Sequence, residues 1–242
     1  MKKARFVQIK NLLINFILPP VCPVCNNPVD EPHMLCAKCF AKLNFITKPY
    51  CEKCGYPFEF DIKGDMICGH CLKQNPPYHK ARSVFVYDEG SKKLILPFKH
   101  ADRTDLTHVL SQFLLRSYGP FISESDVIIP IPLHMTRLLM RRYNQAALLA
   151  NRLAHITHKR YLPNVLKRKR ATSSQGHLSF AQRQKNVRNA FTVVRPELIR
   201  DQKVLLIDDV MTTGATVSEC TKVLLNAGAK SVDVLTLCRV KH

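Results

Sequence analysis

Acidic residues are scarce in this chain of 242 residues: 18 Asp and Glu stand against 37 Lys and Arg, a formal net charge of +19. Between residues 127 and 196 there is no acid at all, while fourteen Lys or Arg occur there. A basic surface without local counter-charges points to polyanionic partners, nucleic acid or phosphorylated metabolites, and is silent about fold. No apolar run reaches the roughly 18–20 residues that a bilayer-spanning helix needs, so an integral membrane protein is not expected. No internal repeat is evident beyond the recurrence of CxxC. The first twenty residues start basic and turn apolar, but Gln8, Lys10, Asn11 and Asn15 interrupt the apolar part and Pro19-Pro20 stands where a small-residue cleavage site would be. Phe6, Ile9, Leu13, Phe16 and Ile17 instead share one helical face. The expectation is an amphipathic helix that packs on the body of the protein and ends at Pro19.

Eight of the ten cysteines fall in four identical spacings, Cys22/Cys25, Cys36/Cys39, Cys51/Cys54 and Cys68/Cys71. Each CxxC turns two thiolates toward one tetrahedral zinc, and two such knuckles close a four-cysteine site. A disulfide framework would need an oxidising compartment, which the N-terminus does not support. Sequential pairing is preferred over an interleaved one, because ten and thirteen residues between knuckles close a local hairpin at little entropic cost. Two structural zinc ions are expected, and His33 and His70 are read as bystanders. The Pro-containing stretch 74–80 is taken as the joint between an N-terminal part, residues 1–80, and a second domain, residues 81–242.

In the second domain, residues 204–207 read VLLI, an apolar run too short for a helix, as in a strand buried on both faces of a parallel sheet. The run ends at Asp208 and Asp209, and the small or hydroxylated Thr212, Thr213, Gly214, Ala215 and Thr216 precede a stretch of helical periodicity. Strand, small-residue loop and helix start bring backbone N–H groups and a positive dipole end to one point, a geometry that holds a phosphate. The paired carboxylates can accept hydrogen bonds from sugar hydroxyls. Residues 127–131 form another buried-type strand, followed by a helix beginning near Arg137; Arg137, Arg141 and Arg142 cluster at its exit. A strand at 164–168 leads into a small, polar, glycine-containing loop around residues 173–177, with Arg170, Gln175, Arg183 and Arg188 on or beside it: a surface loop, or a lid over a site. Further strands are expected at 81–87, 203–209 and 231–237, with helices between them. The fold class is therefore α/β, a doubly wound parallel sheet with its site at the carboxyl ends of the strands.

The segment VLLIDDVMTTGAT resembles the binding loop for phosphoribosyl pyrophosphate in type I phosphoribosyltransferases. With the CxxC series, IPLHMTRLLMRRYNQA and RATSSQGHLSFAQRQKNVRNAF, nearly the whole chain is similar to the competence protein F family, a double zinc ribbon fused to a phosphoribosyltransferase-like domain. Tyr143 stands where Phe is usual in the family's R-x-N-Q element. The resemblance implies that Asp208 and Asp209 hold the ribose and residues 212–216 the 5-phosphate. It places His134, Arg137, Arg141 and Arg142 near the pyrophosphate, and makes 170–188 a flexible lid and Lys99 part of a small hood. It also implies Mg²⁺ with the ligand, a role in natural transformation handling incoming single-stranded DNA, and work alongside competence and DNA-processing proteins. Displacement of pyrophosphate through an oxocarbenium-like transition state needs no nucleophilic side chain, so the lack of a Ser-His-Asp or Cys-His set is no objection. An active phosphoribosyltransferase of nucleotide metabolism and a non-catalytic ligand sensor remain alternatives; a repressor-like regulator would be expected to carry a helix-turn-helix, and none is found.

Overall fold

The computed structural model describes residues 19–60, 64–101, 103–170 and 180–241. The expected N-terminal helix through Ile17 and the loop residues 171–179, Gln175 among them, lie outside the described residues. The described elements are, in order, α1 (Ala37–Phe40), α2 (Gly69–Gln74), β1 (Ala81–Val86), α3 (Glu89–His100), α4 (Leu106–Ser123), β2 (Val127–Pro130), α5 (Met135–Arg141), α6 (Gln145–Thr157), β3 (Arg160–Tyr161), β4 (Leu166–Arg168), α7 (Phe180–Val187), β5 (Phe191–Val193), β6 (Lys203–Met211), α8 (Ala215–Asn226) and β7 (Ser231–Arg239).

Five strands form a parallel sheet in the order β1-β7-β6-β2-β3. The central strand β6 has neighbours on both edges, and its residues Val204, Leu205, Leu206 and Ile207 are at most 1 % exposed, which is why they read as an unbroken apolar run. Every residue of β2 is buried for the same reason. Asp88 starts α3 with a capping box, accepting from the N–H groups of Gly90 and Ser91 while the Ser91 hydroxyl accepts from the Asp88 N–H.

One expected strand is placed differently. The sheet's edge is Arg160–Tyr161, not 164–168; β4 instead pairs antiparallel with β5 in a separate two-stranded sheet at the base of the loop between them. Leu162 donates the last bond toward β2, to the Ile128 carbonyl at 3.0 Å. Pro163 follows with no N–H to continue the ladder.

The packing divides the chain into two compact units, residues 1–43 and residues 44–242. In the smaller unit, Cys22 and Cys25 sit on a turn held by Cys22 N–H to Asn27 O and Asn26 N–H to Cys22 O, both 2.8 Å, and Cys36 leads into α1. The larger unit repeats this plan with Cys51, Cys54 and Cys68, the last leading into α2. This second ribbon has no core of its own: Cys51, Cys54 and Cys71 belong to the same buried cluster as Tyr78, Ala81 and Val234. Gly55 turns at φ 65° so close to β1 that a Cβ there would stand 2.7 Å from the Ala81 carbonyl. Arg82, buried in β1, pairs with Glu52 at 2.7 Å and lies over the Tyr50 ring. Ahead of the ribbon, Ile46 N–H bonds to Val84 O and Val86 N–H to Asn44 O, and Phe45, Phe85 and Phe113 meet edge to face. Because Phe85 is fully buried in that trio, Phe85→Ala should cost about 3–5 kcal/mol, read as a lowered urea midpoint with the unfolding slope unchanged.

Candidate functional site

The carboxyl ends of the strands open onto a cavity of about 740 Å³. Its floor is the end of β6 and the loop into α8: Asp208, Asp209, Thr212, Gly214, Ala215 and Thr216 all line it. Gly214 caps α8 at φ 80°, a left-handed conformation that side chains resist. The Thr213 hydroxyl turns instead to the Ala215 N–H at 3.4 Å, outside the lining. Asp208 accepts from the Asp209 N–H at 2.9 Å, and Asp209 meets the ammonium of Lys99 at 3.2 Å, both side chains mostly buried. Burial and the Asp209 carboxylate push the Asp208 carboxyl up to about 7, against the pull of the Asp209 N–H, Lys99 and Arg168.

The opposite wall comes from β2 and the helices after it. Arg141 lines the cavity, with its guanidinium 3.4 Å from the Gln145 side chain. The residues after it act as a clamp: Tyr143 donates to the Phe98 carbonyl at 2.8 Å, Asn144 to the Ile131 carbonyl at 3.0 Å, and buried Gln145 to the Lys99 carbonyl at 3.1 Å. Asn144 also caps α6 through the Ala146 N–H. The Tyr143 and Gln145 bonds fix the end of α3, and with it Lys99 and His100, over the acids. Burial, then Arg141 and Lys99, lower the pKa of His100.

Other expected residues stand outside the lining. His134 caps α5 through the Thr136 N–H at 3.3 Å, and Arg142 is exposed at the helix end with φ 62°. Arg170 binds the carbonyls of Asn186 and Arg188 at 3.0 Å each, joining the two ends of the expected lid, and Arg188 is exposed. Arg137 and Arg183 are placed by backbone in α5 and α7; their side chains lie outside the described residues. Residues not singled out for the site, His100, Gln145 and Arg168, are at it. The R-x-N-Q element itself was the available signal for Gln145; nothing in the local sequence marked Arg168, which reaches the cavity only through the β4–β5 pairing.

The two cysteine sets are each drawn together, Cys22/Cys25/Cys36/Cys39 and Cys51/Cys54/Cys68/Cys71, with the ligand atoms of each set within 4.8 Å of one another. The pairing is sequential. The Cys25–Cys36 and Cys54–Cys68 sulfurs stand 3.5 and 3.7 Å apart, near the separation that a tetrahedral site with bonds of about 2.3 Å gives. The residues fit structural zinc at both positions.

A parallel sheet whose central strand ends in two acids and a glycine-capped loop, together with two cysteine ribbons, defines the class: a phosphoribosyltransferase-fold protein carrying a double zinc ribbon. Family models agree, matching a double zinc ribbon domain at residues 13–72 and a phosphoribosyl transferase domain at residues 125–242. The chain is 32 % identical to the DNA utilization protein YhgH of Escherichia coli strain K12, over 92 % of this chain and 98 % of the relative. It is also 32 % identical to competence protein F of Haemophilus influenzae, over 85 % and 90 %. Among solved structures, an orotate phosphoribosyltransferase from Aeropyrum pernix matches at 20 % identity and a TM-score of 0.36, covering 65 % of this chain and 68 % of that one. The chain belongs to the competence protein F family.

Elemental analysis of protein purified without chelator should find two zinc ions per chain; one or none contradicts the two closed sites. A second expectation comes from Asp208. An unfolded Asp titrates near 4 and the native group near 7, so between those values the native state holds the extra proton. Stability from this group is then full below about pH 4 and declines as pH rises through 7. Asp208→Asn should flatten that slope in urea unfolding followed from pH 5 to 8.

Proposed function

We propose that the cavity binds phosphoribosyl pyrophosphate with Mg²⁺, and that the protein handles incoming single-stranded DNA in the cytoplasm during natural transformation, together with competence and DNA-processing proteins. The observation that carries the reading is convergence: Arg141 and the acid-loop residues 208, 209, 212, 214, 215 and 216, picked from separate stretches of sequence, line one cavity. The backbone N–H groups at the start of α8 offer donors for the 5-phosphate. Asp208 and Asp209 take the ribose hydroxyls and are the groups that would hold Mg²⁺, which supplies charge neutralisation on the pyrophosphate when bound. Arg141 and Arg168 face that leaving group, Arg137 and Arg142 add positive field from the adjacent helix, and His134 caps the start of that helix. Arg170, Gln175, Arg183 and Arg188 enter this reading in the role that the family resemblance gives them, as residues of a lid. Lys99 holds the acid pair until the ligand arrives.

Single-stranded DNA falls to the acid-free region, where Arg142, Arg160, Lys167, Lys169, Arg170, Lys185, Arg188 and Arg195 are exposed. No helix among the described residues is long and apolar enough to cross a membrane. The relatives' names, a DNA utilization protein and a competence protein, support the DNA reading. The complete acid-and-loop set also suits turnover with an acceptor, which release of pyrophosphate would reveal.

Calorimetric titration should show Mg²⁺-dependent binding of phosphoribosyl pyrophosphate. Replacing both Asp208 and Asp209 by Ala should abolish it, each carboxylate contributing about 1.5–3 kcal/mol through charged hydrogen bonds. Unchanged affinity in the double variant rejects the reading. Single-strand affinity should fall steeply with salt, by roughly 0.7 logarithmic units per phosphate contacted for each tenfold rise; salt-insensitive or absent binding rejects DNA handling.

A further inference from the structure

Arg239, the last residue of β7, is 3 % exposed, far below what a lone cation tolerates. One terminal nitrogen reaches the Cys54 sulfur at 3.8 Å, and the guanidinium lies 5.8 Å from the centre of the Tyr56 ring. Its Nε and its other terminal nitrogen have no hydrogen-bond partner among the described residues. A buried guanidinium in this state calls for a concentrated negative charge. Zinc held by Cys51, Cys54, Cys68 and Cys71 supplies one, because four thiolates around a divalent ion leave two net negative charges.

The other side of this arrangement faces the cavity. Arg239 stands opposite Met211 in the β6–β7 register, and the Val240 N–H bonds to the Met211 carbonyl at 3.0 Å. The Met211 methyl lies 2.9 Å from where a Cβ on Gly214 would stand, and the hydroxyl of Tyr78, itself 2 % exposed, lies 3.8 Å from the same point. Tyr78, Met211 and Ala215 share one buried cluster with Cys51, Cys54 and Cys71.

We propose that the second zinc site is the foundation of the phosphate loop: Arg239 neutralises its thiolates, and with Tyr78 passes the site's occupancy to residues 211–217. The ribbon is then a control on the cavity as well as a fold element. Arg239 and Tyr78 are positioning residues, since neither lines the cavity. The consequence for affinity rests on the reading of the cavity as a phosphoribosyl pyrophosphate site; the coupling of metal to loop does not.

The test uses the full chain, with zinc release to a chromogenic chelator, hydrogen exchange of residues 211–217 and calorimetric titration of Mg²⁺-phosphoribosyl pyrophosphate. Cys36→Ser empties the first site, so that the remaining ion reports on the second. In that background Arg239→Met should weaken retention of the ion by about 10- to 100-fold. It should also lower protection of 211–217 and ligand affinity together, and excess zinc should restore both, which a loss of packing alone would not allow. If Arg239→Met does not fold, Arg239→Lys, which keeps the charge, should show the same effects in weaker form. Tyr78→Phe should retain zinc normally yet lose protection in 211–217. Wild-type zinc retention in the folded Arg239 variant, or full protection of 211–217 after the second ion has left, overturns the proposal. If zinc-loaded wild-type protein fails to bind the ligand, the reading of the cavity falls, and exchange on the ligand-free protein still decides the coupling.

Discussion

Two adjacent carboxylates at the end of a buried central strand are the constraint around which the larger unit is built. Like charges so close cannot both ionise cheaply away from water, and the surroundings answer this in three ways. Asp209 is paired with Lys99, Asp208 accepts from the next backbone N–H, and the Asp208 carboxyl is pushed up to about 7. Holding Lys99 there requires the end of α3 to be pinned, which Tyr143 and Gln145 do through the carbonyls of Phe98 and Lys99. The acid pair thus accounts for a clamp more than sixty residues earlier in the chain.

The same constraint explains the distribution of charge. A site that concentrates negative charge at its floor and is read as receiving a more negative ligand needs cations on its walls, and Arg141, Arg168 and Lys99 provide them. The wider basic surface is a separate matter. It lies in a region without acids, where Arg160, Lys167, Lys169 and Arg195 face solvent.

Much of this was legible in the sequence because it depends on short-range patterns. An apolar run ending in two acids and a small-residue turn sets a strand, a loop and a helix start within a dozen residues, and CxxC spacing sets knuckles within four. What was not legible depends on contacts between distant segments. The packing of the second ribbon on β1 rests on Gly55 approaching that strand and Arg82 meeting Glu52, which no local pattern encodes. The edge strand was displaced because the stop at Pro163 outweighed the propensity of the residues after it. The place of Arg168 at the cavity depends on a strand pair whose two members lie more than twenty residues apart.

The central claim is that the acid pair and the glycine-capped loop form one ligand site. It is tested most directly by a crystal structure of the protein grown with Mg²⁺ and phosphoribosyl pyrophosphate. The account predicts the 5-phosphate on the backbone N–H groups of residues 212–216, the ribose hydroxyls on Asp208 and Asp209, and the Lys99–Asp209 pair opened. Ligand density elsewhere on the chain, or a cavity left empty at saturating ligand with that pair intact, would contradict it.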